Sequence, residues 1–140
     1  MKQKILNLTQ HVATPEQIEA GVFEPTDDDK KEIQKLLTFE EVPTKKGIES
    51  RAMGLAKIAS KIFNDVEYVE EYNHFDYVEI DRKAMIGGAP YLMGLLEAYL
   101  KHECVKPVYA FSKRESVDHL QPDGSVRKVQ VFRHAGFVEV

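Results

Sequence analysis

The chain of 140 residues has one cysteine, no tryptophan and no long apolar run. Cys104 cannot close an internal disulfide on its own, and no Cys/His cluster has the spacing of a structural metal site. The apolar runs fall far short of the ~20 residues that span a bilayer, and the N-terminus lacks the apolar core of a signal peptide. The sequence therefore predicts a soluble cytoplasmic protein with no membrane contact, no metal and no cofactor.

The net charge of −4, from 19 basic and 23 acidic residues, argues against a protein that coats long nucleic acids. The charge is divided unevenly along the chain. Residues 1–100 carry 12 basic and 18 acidic side chains, whereas residues 101–134 carry 7 basic and 4 acidic ones. This distribution of charge is compatible with a small anionic ligand bound by the basic C-terminal part. Solvated helices in the first part of the chain would produce the same distribution.

At this length we expect one domain covering residues 1–140. Helix-start signals at Thr14 and Thr26, and an apolar stripe of helical spacing from Ile48 to Phe63, predict three helices in the first half. Alternating apolar and polar residues between Asn64 and Lys83 indicate at least one strand there.

Short apolar segments predict strands, and a Gln-Pro-Asp-Gly turn predicts a C-terminal hairpin. We expect strands at residues 3–8, 84–86, 107–111 and 136–140, and hairpin arms at 116–120 and 125–132. A Gly-Gly-Ala-Pro turn after residue 86, followed by a helical face, is typical of a βα junction. The alternation favours a Rossmann-like three-layer α/β sandwich with a mainly parallel sheet and a C-terminal β-hairpin.

Polar or glycine-containing segments follow three of these strands, at Thr9–His11, Gly87–Pro90 and Ser112–Arg114. Ligands of such folds bind outside the carboxyl ends of the strands, so we expect the three segments to meet along one edge of the sheet. The second arm of the hairpin adds the basic residues Arg133 and His134 nearby. The sequence thus predicts one site built from several strand ends.

These residue types suit an anion, but each segment also has a plainer interpretation. Gly87–Gly88 would let backbone N–H groups approach a phosphate, or would only make a tight turn. Ser112, Lys113 and Arg114 suit a phosphodiester, with arginine as a planar donor fork, or form an ordinary solvated loop. His11 is placed to act as an acid or base, or only stabilises its own turn.

Several blocks of the sequence resemble a family of small, uncharacterised stand-alone proteins of bacteria and their mobile elements. The blocks are N-L-T-Q-H-x-A-T-P-E-Q, I-G-G-A-P-Y-L-M, P-V-Y-A-F-S-K-R-E-S-V, P-D-G-S-V-R-K and F-R-H-x-G-F-V-E. More distantly, a strand ending in a polar residue and His, T-P-E-Q opening a helix, a Gly-led helix and a strand ending in P-V-Y-A-F-S are similar to small CARF-like proteins of type III CRISPR systems. The acidic segment 64–83 and the C-terminal hairpin depart from that family's minimal pattern.

The CARF-like resemblance implies a homodimer that binds cyclic oligoadenylate at the carboxyl edge of a Rossmann-like sheet, and some such proteins are ring nucleases that linearise it without metal. The partner would then be a small anionic nucleotide and no long nucleic acid. The expected catalytic residues are His11, Lys113 and His134. The expected ligand-binding residues are Thr9, Gln10, Gly87, Gly88, Tyr91, Ser112, Arg114 and Arg133. Two other functions stay open: a module that sequesters or senses a nucleotide without cleaving it, and an interaction factor of a mobile element that uses its hairpin.

Overall fold

The computed structural model describes residues 2–73 and 80–140. Within these residues the chain forms five strands and four helices. The strands are β1 (Lys2–Leu8), β2 (Val22–Phe23), β3 (Ile80–Ile86), β4 (Lys106–Leu120) and β5 (Val126–Glu139). The helices are α1 (Pro15–Glu19), α2 (Asp27–Leu37), α3 (Lys45–Asn73) and α4 (Pro90–His102). None of these helices is both long enough and apolar enough to cross a bilayer.

All five strands join one sheet in the order β2-β1-β3-β4-β5. The first four strands are parallel, and β5 is antiparallel to β4. The predicted α/β fold, with a mainly parallel sheet and a C-terminal hairpin, is confirmed. The chain moves from β1 to one side to reach β2, and then crosses to the other side for β3 and β4. The order of strands therefore reverses between β1 and β3, and this position is the topological switch point of the sheet.

The two faces of the sheet are covered unequally. Because crossovers between parallel strands are right-handed, α1 lies on one face and α2, α3 and α4 lie on the other. The thick layer buries the main core, in which Leu6, Leu8 and Ala84 of the sheet pack against the three long helices. Side chains alternate along a strand, so Ile5 and Met85 point to the thin layer and form a smaller cluster there.

The helix starts follow the local sequence signals. Thr14 accepts a hydrogen bond from the Gln17 backbone N–H, and the Gln17 side chain accepts one from the Thr14 N–H, which confirms the expected capping box. Thr26 caps α2 in the same way by accepting from the Asp29 N–H. Gly21, with φ at 111°, follows the end of α1 and permits the sharp return into β2.

The segment 64–83 is partly helical, against the alternation seen in the sequence. Helix α3 continues to Asn73, so residues 64–73 are helical, and the expectation of at least one strand between residues 64 and 83 is met by β3 alone among the described residues. The first part of this extension is held to β3, because Asn64 and Glu67, one turn apart, both accept hydrogen bonds from Arg82. The expected strand begins at Ile80, and residues 74–79 lie outside the described part of the chain.

The strand that was expected to end at Phe111 continues for nine more residues, so Ser112–Arg114 is strand and not a loop. Strand β5 is likewise continuous where two segments, 125–132 and 136–140, were expected. Antiparallel pairing runs from Val108↔Glu139 to Leu120↔Val126, with one bulge next to Phe111. This long-range pairing holds polar residues in extended conformation, and the tight turn at 121–125 was correctly predicted.

An ion pair fixes the end of β5 to the sheet on the face of the thin layer. Lys83 Nζ lies 2.6 Å from Glu139 Oε1 and 3.6 Å from Asp81 Oδ2, and Lys106 also reaches Asp81. The hydrogen bond that Lys83 donates to Glu139 raises the pKa of Lys83 and lowers the pKa of Glu139. The pair therefore stabilises the last strand only while both groups are charged.

We predict that Glu139→Gln lowers the melting temperature modestly at neutral pH and not in acid. Because the folded pKa of Glu139 is lowered, its contribution is present above the ordinary carboxyl value of 4.5 and is lost as the pH falls through the folded value. The raised pKa of Lys83 sets the other limit, because its contribution is present below 10.5 and is lost as the pH rises through the folded value. Thermal unfolding of both proteins across this pH range measures the difference.

The matched control is Glu115→Gln, which removes an ion pair with Arg133 in which both side chains are more than half exposed. This control should leave the melting temperature unchanged at every pH. A difference between wild type and Glu139→Gln that persisted in strong acid would contradict the assignment.

Candidate functional site

A crevice opens at the switch point, between the carboxyl ends of β1 and β3. It encloses about 420 Å³ and is lined by four groups of residues. These are the segment after β1 (residues 9–12), the end of β3 with its glycine turn (85–88), two side chains from the start of α1 (Thr14 and Gln17), and Tyr109 and Ala110 of β4. The lining therefore contains Gly87, Gly88 and the segment Thr9–His11, which were all expected at a site.

The buried side chain of Asn7 shapes the loop that follows β1. Asn7 is 1% exposed, and its Oδ1 accepts hydrogen bonds from the backbone N–H of Thr9 at 3.1 Å and from the Thr9 hydroxyl at 2.7 Å. Its Nδ2 donates to the carbonyl of His11 at 2.7 Å and to Glu24 Oε1 at 2.8 Å. One amide therefore holds both ends of the segment Thr9–His11, and orients it over the crevice.

Glu24 extends the same network to the chain entering α2. Its Oε1 also accepts from the backbone N–H of Ala13 at 2.7 Å, and its Oε2 lies 3.7 Å from Lys30 Nζ. Sequence analysis missed both Asn7 and Glu24. Of the two, only Asn7 could have been recognised from the sequence, because it is a polar residue inside the apolar strand segment Ile-Leu-Asn-Leu. A buried amide must find hydrogen-bond partners.

The turn after β3 presents backbone to the crevice. Gly88 has φ at 143°, a conformation that L-residues with a side chain rarely adopt. A Cβ at Gly87 would lie 3.8 Å from Thr9 Cγ2, which is ordinary contact, so glycine at this position leaves open space at the mouth of the crevice and is not required by backbone conformation. Helix α4 starts immediately afterwards, behind Ala89, without a side-chain cap.

The start of α4 differs in this respect from the other three described helices, which begin behind Thr14, Thr26 and Thr44, each with its hydroxyl bonded to a first-turn N–H. In the first turn of α4, however, Pro90 has no N–H and the Leu92 N–H donates to the Ala89 carbonyl at 3.0 Å, so the helix start lacks a full set of free donors. The backbone of Gly87 and Gly88, which lines the crevice itself, is therefore the part of this junction that an anion can approach closely.

No lysine or arginine belongs to the lining of the crevice. His11 is the histidine of the lining, and its exposed ring has no hydrogen-bond partner within residues 2–73 and 80–140. Tyr109 donates its hydroxyl to Glu97 at 2.7 Å. Burial, and then this hydrogen bond, raises the pKa of Tyr109 to about 12, so it stays protonated and serves as a fixed wall.

An aromatic pair lies beside the start of α4. Tyr91 is half exposed, and its ring makes an edge contact with Phe39 at 5.1 Å between centroids. Gln10 donates to the Thr38 hydroxyl at 2.9 Å, which ties the β1 loop to the end of α2. Tyr91 is therefore near the expected site but is not among the residues that line the crevice.

A larger cavity of about 720 Å³ lies between the end of α2 and the start of α3. Its one arginine, Arg51, donates to the carbonyls of Lys35 and Leu36 and stacks on Phe39 at 4.4 Å. Arg51 thus completes the end of α2, and its neighbours include Glu40 and Glu41. The lining of this cavity thus combines two cations, Lys35 and Arg51, with the two carboxylates of Glu40 and Glu41.

The remaining expected site residues lie on the β4–β5 hairpin and not in the crevice lining. Lys113 and Arg114 are successive strand residues, so they point to opposite faces and cannot hold one phosphate together within one chain. Arg114 lies over the Phe132 ring at 5.4 Å, and Arg133 pairs with Glu115.

His134 and Ser112 are directly paired at the base of the hairpin. The His134 ring packs on Phe137 at 4.8 Å, and its backbone N–H donates to Glu16 of α1 at 3.2 Å. The expected convergence of three strand ends is thus reduced to two, because the third strand does not end there. Among residues 2–73 and 80–140, no three His, Cys, Asp or Glu side chains are grouped as metal ligands.

Comparison with known proteins identifies a family but does not indicate an activity. The uncharacterized protein MJ1673 family matches residues 3–138 of the chain. No curated protein and no solved structure gives a significant match. The function of the crevice must therefore be inferred from its geometry and chemistry.

We predict that Asn7→Asp destabilises the protein by about 3 kcal/mol, because the variant keeps the shape of the side chain but replaces two donors by a carboxylate oxygen facing Glu24 and the His11 carbonyl. Thr9→Val, which removes one hydroxyl from the same network, should cost only about 1 kcal/mol. Denaturant unfolding measures both values. Hydrogen exchange at residues 9–13 should accelerate more in Asn7→Asp, and equal effects of the two variants would contradict the central role of Asn7.

Proposed function

The chain belongs to the MJ1673 family, and we propose that it binds a small anionic nucleotide in the crevice at the switch point. The observation that carries this proposal is the meeting of two segments, Thr9–His11 and Gly87–Gly88, at the reversal of the strand order. Open α/β sheets bind ligands at this position, outside the carboxyl ends of the strands.

The chemistry of the lining supports a nucleotide over a simple phosphate ion. The backbone of Gly87 and Gly88 lines the crevice without side chains, so a phosphate can approach its N–H groups closely. The side chains of Thr9, Gln10 and Gln17 offer neutral donors and acceptors to a sugar or base. A volume of about 420 Å³ lies in the ordinary range for small-molecule sites and exceeds the needs of an inorganic anion.

Cyclic oligoadenylate is the nucleotide that we propose, on the strength of the resemblance to CARF-like proteins. In its cleavage a ribose 2′-oxygen forms a bond to the adjacent phosphorus while the bond from phosphorus to the 5′-oxygen breaks. The proton of the 2′-hydroxyl leaves to a base, and the departing 5′-oxygen gains a proton. The products are a 2′,3′-cyclic phosphate and a 5′-hydroxyl, and the enzyme must align the attack and assist proton transfer.

His11 is the residue of the crevice that would accept the proton from the 2′-hydroxyl. Its ring is exposed, while its backbone is fixed by Asn7 and Thr9. Lys113, Arg114 and His134 have no place in this role within one chain, because they lie on the hairpin and not in the lining.

Capture of the nucleotide without cleavage is the second candidate function. It is favoured by the composition of the lining, which has His11 but no lysine or arginine to neutralise charge as it develops on the phosphorus. A sequestering module needs affinity alone, and the glycine backbone and neutral polar groups of the lining can supply it.

We predict that Gly87→Val weakens binding of cyclic oligoadenylate at least tenfold. The added side chain fits the backbone without strain but fills space beside Thr9 at the mouth of the crevice. Gly94→Ala, on the exposed side of α4 with no heavy atom within 4 Å of its new Cβ, is the matched control and should bind normally. Calorimetric titration with cyclic oligoadenylate measures the dissociation constant of both variants. Normal binding by Gly87→Val would exclude this crevice as the site.

We predict that His11→Gln retains binding but reduces ring opening by about 10²–10⁴-fold, the usual contribution of a positioned acid or base. His119→Gln, an exposed histidine near the tip of the hairpin, is the control and should cleave normally. Chromatography of the incubated ring separates linear from cyclic product. Binding by wild type with no linear product would establish capture in place of catalysis, and equal cleavage by His11→Gln would exclude His11 as the base.

A further inference from the structure

Strand β5 lies at the edge of the sheet, and its outer side is open. It is the last strand in the order β2-β1-β3-β4-β5, so it pairs with β4 on one side only. At the hairpin turn the Gln121 N–H donates to the Ser125 carbonyl. Bonded and non-bonded pairs alternate in an antiparallel ladder, so every second residue from Val126 onward points its N–H and C=O away from β4. These residues are Val126, Lys128, Gln130, Phe132 and His134.

A hydrogen bond at the base of β5 agrees with this alternation. The outward N–H of His134 donates to Glu16 Oε2 at 3.2 Å. In the described ranges 2–73 and 80–140, no backbone group or side chain of the protein pairs with the outward groups of residues 126–132. A carboxylate therefore closes this edge at His134, and a length of about 20 Å before it is open to a partner.

The residues along the open edge favour a strand and carry charge of one sign. Residues 126–133 contain four β-branched or aromatic apolar side chains, three basic ones and no acidic one. Proline and glycine, which weaken strand pairing, are absent from this stretch. Residues 112–120 of β4 contain two basic and two acidic side chains, so the excess positive charge belongs to β5. A long exposed edge of this composition is a template for one more strand.

A strand added along this edge would contact apolar side chains on both faces of the hairpin, because the residues of β5 alternate between them. One face carries Arg127, Val129, Val131 and Arg133. The other face carries Val126, Lys128, Gln130 and Phe132. On the first face the two valines are partly buried and lie between exposed arginines. On the second face Val126 and Phe132 are 62% and 68% exposed, and Leu120 of β4, paired with Val126, is 70% exposed.

The spacing of the cations disfavours a second copy of the same strand at this edge. Two β5 strands paired antiparallel about Gln130 would place Arg127 of one copy opposite Arg133 of the other. A parallel pair in register would place each arginine opposite its own counterpart. Like charges directly opposite each other are destabilising, whereas opposite charges and apolar pairs are stabilising. The edge therefore selects a strand of different sequence, with acidic residues opposite the arginines and apolar residues opposite the valines.

We propose that the edge of β5, over residues 126–133, binds an extended acidic segment of another protein as a further strand antiparallel to β5. Main-chain hydrogen bonds to the outward groups supply affinity, and the alternating side chains supply specificity. The matching segment has the pattern acidic-x-apolar-x-apolar-x-acidic, because Arg127 and Arg133 are six residues apart with Val129 and Val131 between them. This interaction does not depend on the crevice or on its ligand.

The first test titrates the full chain into a fluorescein-labelled peptide, Glu-Thr-Val-Thr-Val-Thr-Glu, and follows fluorescence anisotropy. The control peptide, Lys-Thr-Val-Thr-Val-Thr-Lys, keeps the strand propensity and reverses the charge. We expect the acidic peptide to bind and the basic peptide to bind at least about tenfold more weakly, since its lysines would face the arginines of β5. Equal binding of the two peptides, or binding of neither, would overturn the proposal.

The second test exchanges the charges of the edge. The double variant Arg127→Glu with Arg133→Glu should lose the acidic peptide and gain the basic one. Lys46→Glu with Lys57→Glu, at two exposed lysines of α3, changes the net charge by the same amount and should bind as wild type does. Circular dichroism and melting temperature report whether each variant is folded, since none of the four residues belongs to the buried core. A folded Arg127→Glu, Arg133→Glu variant that still prefers the acidic peptide would contradict the proposed edge.

The third test asks whether the main chain of the peptide takes part. Its central threonine lies opposite Gln130, so methylation of that backbone nitrogen removes a hydrogen bond to β5 and should weaken binding at least about tenfold. The nitrogen of the valine before it points away from β5, and its methylation should leave binding nearly unchanged. Equal effects of the two methyl groups would exclude strand addition. Binding of a single-stranded RNA or DNA oligonucleotide in place of the acidic peptide, lost in Arg127→Glu with Arg133→Glu, would assign the edge to nucleic acid and overturn the proposal.

Discussion

The buried amide of Asn7 is the interaction on which the candidate site depends. A polar group inside a strand costs free energy unless every donor and acceptor is paired, and Asn7 is paired with Thr9, His11 and Glu24. The cost of burying the amide is offset only when the loop after β1 adopts this one conformation. Because the buried amide of Asn7 must be fully hydrogen-bonded, the loop after β1 is held in one conformation. This loop forms one preorganised wall of the crevice.

The strand order explains why this wall faces an opening. Because the chain turns to one side after β1 and to the other after β3, the helices that follow these strands lie on opposite faces of the sheet. The two connections diverge and leave space between them. Helix α1 has only five residues and buries none of them, so it borders the space without filling it. The accessible crevice is thus a consequence of topology together with a short helix.

Local signals predicted the parts of the structure that depend on local physics. The threonine caps, the glycine turn after β3 and the turn at 121–125 involve neighbours in sequence, and each was found where expected. The extent of β4 was mispredicted because Ser112–Arg114 has the composition of a loop, and only pairing with β5 makes it a strand. The extension of α3 depends on contacts with Arg82, and the role of Asn7 depends on Glu24; neither contact is visible from spacing along the chain.

The correction to β4 changes the meaning of the basic C-terminal region. As a loop at a strand end, Lys113 and Arg114 would have faced a ligand in the crevice, and the anion would have been held by cations. As successive residues of strand β4 they point to opposite faces of the hairpin. The crevice keeps neutral polar side chains and His11, which suit recognition by shape and hydrogen-bonding pattern more than by charge. The shape of the crevice therefore depends on the backbone that Asn7 and Gly88 hold in place, and not on a cluster of cations.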